Sequence, residues 1–264
     1  MSKTLIPAQR RERILDHLAL HKIVASTDLS EWLGVSEATI RRDLEWMEED
    51  GVLERTHGGA IISQHVPLEP EYQQRAMRCP EEKRVIGLTA AALIREGDIV
   101  FINSGTTSTQ VIRHLRPGME VTVITNNLIA ALESGDAGFD LILVGGEFQR
   151  KSNSVAGRFA IENLGQIYAS QAFIGVDGIS LKHGYTVPSN AEAEVIRAMI
   201  GRTQGPVYVV SDHTKWGVVS NYEVAPVDSD LKLITDPGLD EHARAALAAR
   251  SVEILLANPI PVKI

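Results

Sequence analysis

The chain of 264 residues lacks several features that define common protein classes. It has one cysteine, Cys79, so no internal disulfide can form and nothing points to export. No stretch is long and apolar enough to span a bilayer, and Met1 to Arg13 lacks the apolar segment of a signal peptide. Its net charge is -8, so it has no basic excess. We therefore expect a cytoplasmic protein without a membrane partner.

Signals for cofactors are also scarce. The eight histidines are scattered without the spacing of zinc ligands, so we expect no metal and no other cofactor. Cys79 precedes Pro80, and a lone cysteine of this kind is more often tolerated than used as a redox sensor. Its role stays open.

The length and the 44% hydrophobic content are sufficient for one small and one medium domain, each with its own core. We place a first domain at residues 1–63 and a second at residues 81–264. The intervening residues 64–80 hold Pro67, Pro70 and Pro80 among polar residues, a composition typical of an extended, semi-rigid connector. A helix from Glu81 to Ile94 is predicted to open the second domain.

The first domain contains the pattern of a DNA recognition helix. Ser36 is a good N-cap, Gly51 suits a helix C-terminus, and Ile40, Leu44 and Met47 form one apolar stripe between them. At about 100° per residue, the side chain at position 42, an arginine, points away from that stripe. One face of this helix is thus predicted to pack and the other to read DNA.

The flanking segments complete a winged helix-turn-helix. A helix from Ala8 to His21 precedes a short helix, Thr27 to Leu33, that Ser26 caps and Gly34 ends, and residues 52–62 read as two wing strands. A purely structural three-helix unit is the alternative. The predicted DNA-binding residues are Ser36, Thr39, Arg41, Arg42, Arg55 and His57.

Charge in this domain is sparse but well placed. Residues 1–63 hold eight Lys or Arg and eleven Asp or Glu, a net charge of -3. Arg10, Arg11 and Arg13 cluster at the start of the first helix, where they suit phosphate contacts. Such modest charge implies weak nonspecific affinity, so we expect a homodimer or a higher even oligomer on double-stranded operator DNA.

The second domain alternates short apolar runs with helical patterns. We predict strands at 99–102, 121–125, 141–144, 172–175, 207–210, 232–235 and 252–256, with helices between most of them. Repeated βα units form a parallel sheet, and small ligands bind beyond the carboxyl ends of its strands. The fold class is therefore α/β, with an N-terminal winged helix-turn-helix and a C-terminal α/β domain.

One loop at this sheet edge suits a phosphate group. Residues 103–109 place Gly105 among hydroxyl side chains at a helix start, where backbone N–H groups and the helix dipole favour an anion. The loop is too short for a Walker motif and lacks its lysine. Ser104 to Thr107 acting as simple helix caps is the alternative, but further glycine-rich and polar loops fall at the same edge.

The chain resembles the DeoR family of bacterial transcriptional regulators over essentially its whole length. The resemblance lies in residues 35–36, 39–44, 57–60, 82–83, 104–107, 125–126, 145–146, 175–177 and 215–217. It implies a sensor domain similar to ribose-5-phosphate isomerase, and a repressor that a phosphorylated sugar releases from its operator. Trp216 departs from the family, whose members commonly carry phenylalanine there. The predicted ligand-binding residues are Ser104, Gly105, Thr106, Thr107, Asn126, Gly146, Asp177, Glu192 and Lys215.

Two other function classes compete with regulation. An isomerase-like enzyme could use Asp177, Glu192, Glu194, Asp212 and Lys215 for proton transfer on a sugar phosphate. Glu192 and Glu194 equally suit the first turn of a helix from Asn190 to Ile200, where acidic residues complement the dipole. A scaffold or DNA-architectural protein would bind no metabolite at all. The DNA-binding pattern favours a sensor, so we predict no catalytic residues.

Overall fold

The computed structural model describes residues 6–21, 23–49, 53–56, 58–62, 64–65, 72–135 and 138–258. The N-terminal domain consists of three helices and a three-stranded antiparallel sheet of order β1-β3-β2. These elements are α1 (Pro7–His21), β1 (Ile23–Ala25), α2 (Ser26–Leu33), α3 (Glu37–Glu49), β2 (Leu53–Arg55) and β3 (Gly59–Ile62). The predicted winged helix-turn-helix is confirmed.

The core of this domain is the predicted one. Ile40, Leu44 and Met47 of α3 are buried against Ile14 and Leu18 of α1. Because these side chains lie three and four positions apart, they share one helix face and leave the other to solvent.

Two local features of this domain differ from expectation. α2 begins at Ser26 itself and its N-cap is Ala25, because the Ser26 N–H donates to the Gly58 carbonyl at 2.6 Å. The predicted cap at Ser26 is therefore wrong. β1, a three-residue strand, was not predicted. It approaches so closely that a Cβ on Gly59 would lie 1.9 Å from the Val24 carbonyl oxygen, so only glycine fits there.

The connector is not an extended spacer. Its described part contains β4 (Gln64–His65), which pairs in parallel with Val218–Val219, and α4 (Tyr72–Ala76). Tyr72 and Arg75 are buried in the sensor domain. The expectation of an extended connector is therefore wrong for these residues, because apolar and ionic contacts with the second domain hold them.

The sensor domain is built on seven parallel strands of order β17-β16-β13-β10-β5-β6-β7. Its elements are α5 (Pro80–Ala91), β5 (Ile99–Ile102), α6 (Thr106–Arg113), β6 (Thr122–Thr125), α7 (Leu128–Glu133), β7 (Asp140–Leu143), β8 (Glu147–Gln149), β9 (Ser154–Ala156), α8 (Arg158–Leu164), β10 (Gln171–Gly175), β11 (Gly178–Ser180), β12 (Gly184–Val187), α9 (Asn190–Gly201), β13 (Val207–Val210), β14 (Val218–Val219), β15 (Tyr222–Ala225), β16 (Lys232–Thr235), α10 (Glu241–Ala248) and β17 (Ile254–Leu256). All seven predicted strands are confirmed to within two residues at each end.

Two apolar cores cover the two faces of this sheet. One joins α5 and α6 to β5, β6 and β13, and the other joins α8, α9 and α10 to the opposite face. Small antiparallel sheets, β8–β9 and β11-β12-β15, follow the carboxyl ends of β7 and β10 and were not predicted. They wall the sheet edge at which the ligand was expected.

Candidate functional site: a DNA-reading helix and an anion-binding sheet edge

The exposed face of α3 carries the predicted DNA-reading residues. Arg41 and Arg42 are exposed, and Arg41 pairs with Glu37 at 3.1 Å. Ser36 caps the helix, because its Oγ accepts from the Thr39 N–H at 3.3 Å and lies 2.9 Å from the Thr39 hydroxyl. Within the described residues Arg42 has no ion pair, so its guanidinium is available to a ligand.

Two of the three arginines at the start of α1 are engaged within the domain. Arg10 is buried and forms a two-point ion pair with Asp43 of α3, and Arg11 reaches the same carboxylate at 3.2 Å. Arg11 also lies 3.9 Å above the ring of Trp46. The phosphate contacts predicted for Arg10 and Arg11 are therefore not supported, because Asp43 uses both cations to hold α1 against α3.

The wing residue Arg55 pairs with Glu45 at 2.9 Å, and its backbone N–H donates to Glu48 at 3.1 Å. These bonds fix the start of the wing to α3. His57, also predicted to bind DNA, lies outside the described residues.

The proposed phosphate loop forms the start of α6 at the carboxyl end of β5. Gly105 is the N-cap residue with φ of 146°, and no side chain caps the helix. The Ser104 Oγ is buried and has no hydrogen-bond partner in the described part of the chain. Thr106 and Thr107 are buried beside it. A buried unpaired hydroxyl at an uncapped helix N-terminus is an arrangement that an anion would satisfy.

Asn126 supports this loop and has both ends of its amide engaged. Its Oδ1 accepts from the Ser104 N–H at 2.7 Å, and its Nδ2 donates to the Val155 carbonyl at 2.9 Å. It thereby joins the loop to β9. Gly146 lies nearby in the β7–β8 turn, where a Cβ would come within 2.5 Å of the Ala156 carbonyl. Asn126 therefore holds the loop through its side-chain amide, and Gly146 allows the close approach of two backbone segments beside it.

A cluster of charges stands at the end of β10. Asp177 accepts from both Arg75 and Lys215 at 3.3 Å. Burial alone would raise the pKa of Asp177, but Lys215 and Arg75 outweigh it and hold the pKa below its ordinary value. Asp177 is therefore ionised, and the two cations around it present hydrogen-bond donors at the sheet edge.

A second buried cation lies behind this cluster. The Lys83 ammonium donates to the Arg75 carbonyl at 2.7 Å and to the Arg78 carbonyl, and it lies 3.8 Å from Asp212. Burial lowers its pKa, and the Asp212 carboxylate opposes that shift. Lys83 therefore fastens the end of α4 to the sensor domain.

The acidic residues considered for catalysis have structural partners. Glu192 is buried in the first turn of α9, which Ser189 caps, and Glu194 accepts from Asn190 at 2.9 Å. Asp212 caps the 3₁₀ turn at 213–215 by accepting from the Thr214 N–H at 3.0 Å. Glu192 and Glu194 therefore lie at the helix start that was the alternative to acid–base chemistry. Asp212 instead caps a turn and lies 3.8 Å from Lys83, while Lys215 pairs with Asp177.

Tyr72, Arg75 and Lys83 belong to the site and were not predicted. The Thr109 hydroxyl donates to the Gly105 carbonyl at 2.8 Å and accepts from Asn127, so the Tyr72 hydroxyl, 2.9 Å away, donates to it. α4 therefore contacts the phosphate loop itself. No local pattern indicates such contacts, although Lys83 lies within one of the segments shared with the family.

The described part of the chain offers neither a membrane-spanning helix nor a cluster of metal-binding side chains. No helix in it has the length and hydropathy of a membrane span, and no group of three or more His, Cys, Asp or Glu side chains in it could hold a metal ion.

These two parts define a regulator in which a winged helix-turn-helix is joined to an α/β sensor. The DeoR C-terminal sensor domain matches residues 78–237, and the DeoR-like helix-turn-helix domain matches residues 10–66. The chain belongs to the DeoR family of helix-turn-helix transcriptional regulators, as its motifs predicted.

Relatives align over nearly their whole lengths. The HTH-type transcriptional repressor GlcR of Bacillus subtilis is 34% identical over 249 residues, 94% of this chain and 95% of GlcR. The putative aga operon transcriptional repressor of Escherichia coli O157:H7 is 31% identical over 252 residues, 94% of this chain and 93% of that protein. The HTH-type transcriptional regulator GlpR of Haloferax volcanii is 30% identical over 251 residues, 95% of this chain and 98% of GlpR.

Solved structures show a distant likeness. The match to ribose 5-phosphate isomerase A of Methanocaldococcus jannaschii covers 52% of this chain and 54% of the isomerase chain, with a TM-score of 0.38 and 15% sequence identity.

Proposed function

We propose that this protein represses a carbohydrate-utilisation operon and that a phosphorylated sugar releases it from its operator. The observation that carries the effector assignment is the buried, unpaired Ser104 hydroxyl beside the uncapped start of α6. The names of the relatives GlcR and the aga operon repressor support repression. The domain boundaries at residues 63 and 81 are part of the same proposal.

Operator reading is assigned to the exposed face of α3, led by Arg42 and followed by Arg41 and Thr39. Arg42→Ala should weaken specific operator binding by about 1 to 3 kcal/mol, as loss of a base or charged phosphate contact does. Arg95→Ala is a matched control, because Arg95 is exposed on the sensor domain, in the turn between α5 and β5. Gel shifts at physiological salt measure both. Wild-type affinity in Arg42→Ala protein would show that the wrong face has been assigned.

The effector phosphate is assigned to the backbone N–H groups and hydroxyls of residues 104–107. The sugar end then lies toward Asp177, Glu192 and Lys215, where a carboxylate can accept from sugar hydroxyls and an ammonium can donate to them. A phosphate dianion needs several donors without a bulky side chain in the way, and Gly105 provides the closest backbone approach.

The same contacts supply a route from the effector to the DNA-binding domain. α4 is part of the connector, and it touches the phosphate loop through Tyr72 and the sugar end through Arg75. An effector that binds Asp177 competes with Arg75 for the carboxylate. Loosening α4 in this way would change how the connector holds the DNA-binding domain.

Gly105→Asp tests the phosphate assignment. The new carboxylate adds bulk and like charge at the phosphate, so calorimetry should show loss of sugar-phosphate binding while operator binding persists. Gly97→Asp is the matched control, because Gly97 also has positive φ, of 83°, but has nothing within 4 Å of its Cβ position. Unchanged ligand affinity in folded Gly105→Asp protein would eliminate this loop as the phosphate site.

The protein is proposed to bind its effector without turnover. Incubation with pentose and hexose phosphates should leave each aldose and ketose unchanged. Conversion of any of them at an enzymatic rate would favour the isomerase-like alternative, with Asp177, Glu192 and Lys215 as the first residues to replace.

Operator reading also requires more than one copy of the chain. One helix-turn-helix module reads a half-site, and dimers place two modules a helical turn, or a multiple of it, apart. We therefore propose a homodimer or a higher even oligomer.

A further inference from the structure

The strand at one edge of the sheet, β7, is unusually apolar for an exposed edge. In the described chain β7 pairs with β6 on one side and with no strand on the other. Edge strands are normally protected by charge, proline or a covering element. β7 carries one charged residue, Asp140, and leaves both Ile142 and Leu143 exposed.

Apolar side chains continue around both faces of this edge. Leu143 shares a sheet face with Leu141, which packs in the core beneath α5 and α6. Ile142 shares the other face with Val144, which belongs to the core beneath α8 and α9. The edge is therefore apolar on both sides of the sheet.

Neighbouring elements extend this surface. α7, which contacts β7, exposes Leu132, and α8 exposes Phe159 at its start. β8, directly after β7, exposes Phe148. We call the five residues the apolar edge, and their exposed fractions are 80% for Leu132, 46% for Ile142, 38% for Leu143, 58% for Phe148 and 66% for Phe159.

The size of the apolar edge matches a subunit interface. If a full large side chain presents ~200 Å², these residues expose roughly 580 Å² of mainly apolar surface. That is near the upper end of the largest patch on a typical monomer, about 300 to 600 Å². A standard interface buries about 800 Å² per partner, so the apolar edge and its polar surroundings would form the centre and rim of one.

We propose that the apolar edge is the dimer interface and that the same surface of a second copy of this chain covers it. This inference rests on the proposed operator binding, because that function requires two modules. A two-fold axis brings identical patches together, so two β7 strands would lie antiparallel and satisfy each other's unpaired backbone groups. The rim carries both signs of charge, with Arg158 and Glu162 beside Phe159, so it does not repel its own copy.

Mass measurements on the full chain test the interface. Phe159→Glu and Leu143→Glu should each raise the dimer dissociation constant at least ~100-fold, because a carboxylate would be buried in the apolar contact. Tyr168→Glu is the matched control: Tyr168 is an exposed aromatic outside the edge, and its hydroxyl accepts from Arg202, which a carboxylate can also do. Sedimentation that shows wild-type mass for both edge variants, or equal dissociation of the control, would overturn the proposal.

Disulfide cross-linking tests the interface a second way, in case the glutamate variants fail to fold. In a Cys79→Ser background, single cysteines are placed in turn at positions 140 to 143. A disulfide needs Cα atoms within about 7 Å, which two antiparallel β7 strands meet near the axis. At least one variant should form a covalent dimer on mild oxidation and Tyr168→Cys should not. Failure of all four would refute the interface between two copies and would favour a peptide or lipid as the occupant of the edge.

These measurements use neither DNA nor sugar, so the two proposals fail separately. A wild-type dimer that the edge variants break, but that binds no operator, contradicts the proposed function and supports the interface. A wild-type chain that stays monomeric at micromolar concentration overturns the interface whatever its DNA affinity.

Discussion

Replacing Asp43 with alanine should destabilise the DNA-binding domain by about 3 to 5 kcal/mol, the cost of removing one partner of a buried ion pair. The side chains of Asp43 and Arg10 are 4% and 8% exposed, so water cannot solvate the arginine once its carboxylate is gone. Arg11 then stands beside Arg10 without a shared anion, which adds repulsion.

Glu37→Ala is the matched comparison on the same helix. Its carboxylate pairs with Arg41, but these side chains are 44% and 62% exposed, so the pair is screened and should contribute about 0.3 to 0.5 kcal/mol. The difference between the two variants therefore isolates burial.

Urea unfolding followed by tryptophan fluorescence measures both. Trp32 and Trp46 lie in the DNA-binding domain and Trp216 in the sensor, so a Trp216→Phe background confines the signal to the first domain. With a slope of about 1.5 kcal/mol/M, the Asp43→Ala midpoint should fall by about 2 to 3 M. A loss within 1 kcal/mol of that in Glu37→Ala would refute the claim that this ion pair holds α1 to α3.

Three further changes have expected outcomes. Gly87→Ala should lower the melting temperature, although alanine has the better helix propensity. The new Cβ would lie 2.4 Å from the Gln110 Cβ, and such a clash costs about 1 to 3 kcal/mol. An unchanged melting temperature would contradict this close approach. Asp177→Asn should make the free energy of unfolding less sensitive to acid. The pKa of Asp177 is depressed in the folded state, so its stabilising contribution is complete above the unfolded pKa of about 3.9 and disappears as pH falls through the folded pKa. Equal acid dependence in the wild type and the variant would contradict a stabilising role for the cluster. Trp216→Phe should change the free energy of unfolding by no more than about 1 kcal/mol. The lost packing is offset by removal of a buried indole N–H that has no partner in the described residues. A loss above about 3 kcal/mol would contradict this offset.

Periodicity predicted the fold well because the signals were local. The stripe of Ile40, Leu44 and Met47 sets the packed face of α3, and runs such as Ile99–Ile102 become buried parallel strands. Short elements escaped this reasoning. β1 is three residues long and becomes a strand through its pairing with β3.

The candidate site could be predicted in part. The position of Ser104 to Thr107 at a helix start follows from a strand followed by hydroxyl residues and glycine. The role of Asn126 could not, because its bonds join loops 22 and 29 residues apart. Arg75 likewise contacts Asp177 across 102 residues of sequence.

Charge patterns were the weakest guide. Arg10 and Arg11 suggested phosphate contacts by clustering, but the sequence gives no sign that Asp43 would lie opposite both after folding. The pairing arises from how α1 crosses α3, a tertiary relation that composition does not encode.

Control of operator affinity by a sugar phosphate can be measured in one titration. DNA selected by the protein from a random pool is held at half-saturation and monitored by fluorescence anisotropy. Each sugar phosphate is added beside the same sugar without phosphate and beside inorganic phosphate. At least one sugar phosphate should weaken binding by about 10-fold or more while its unphosphorylated counterpart has no effect. Operator affinity that stays constant when a sugar phosphate demonstrably binds the protein would show that this ligand does not release the repressor.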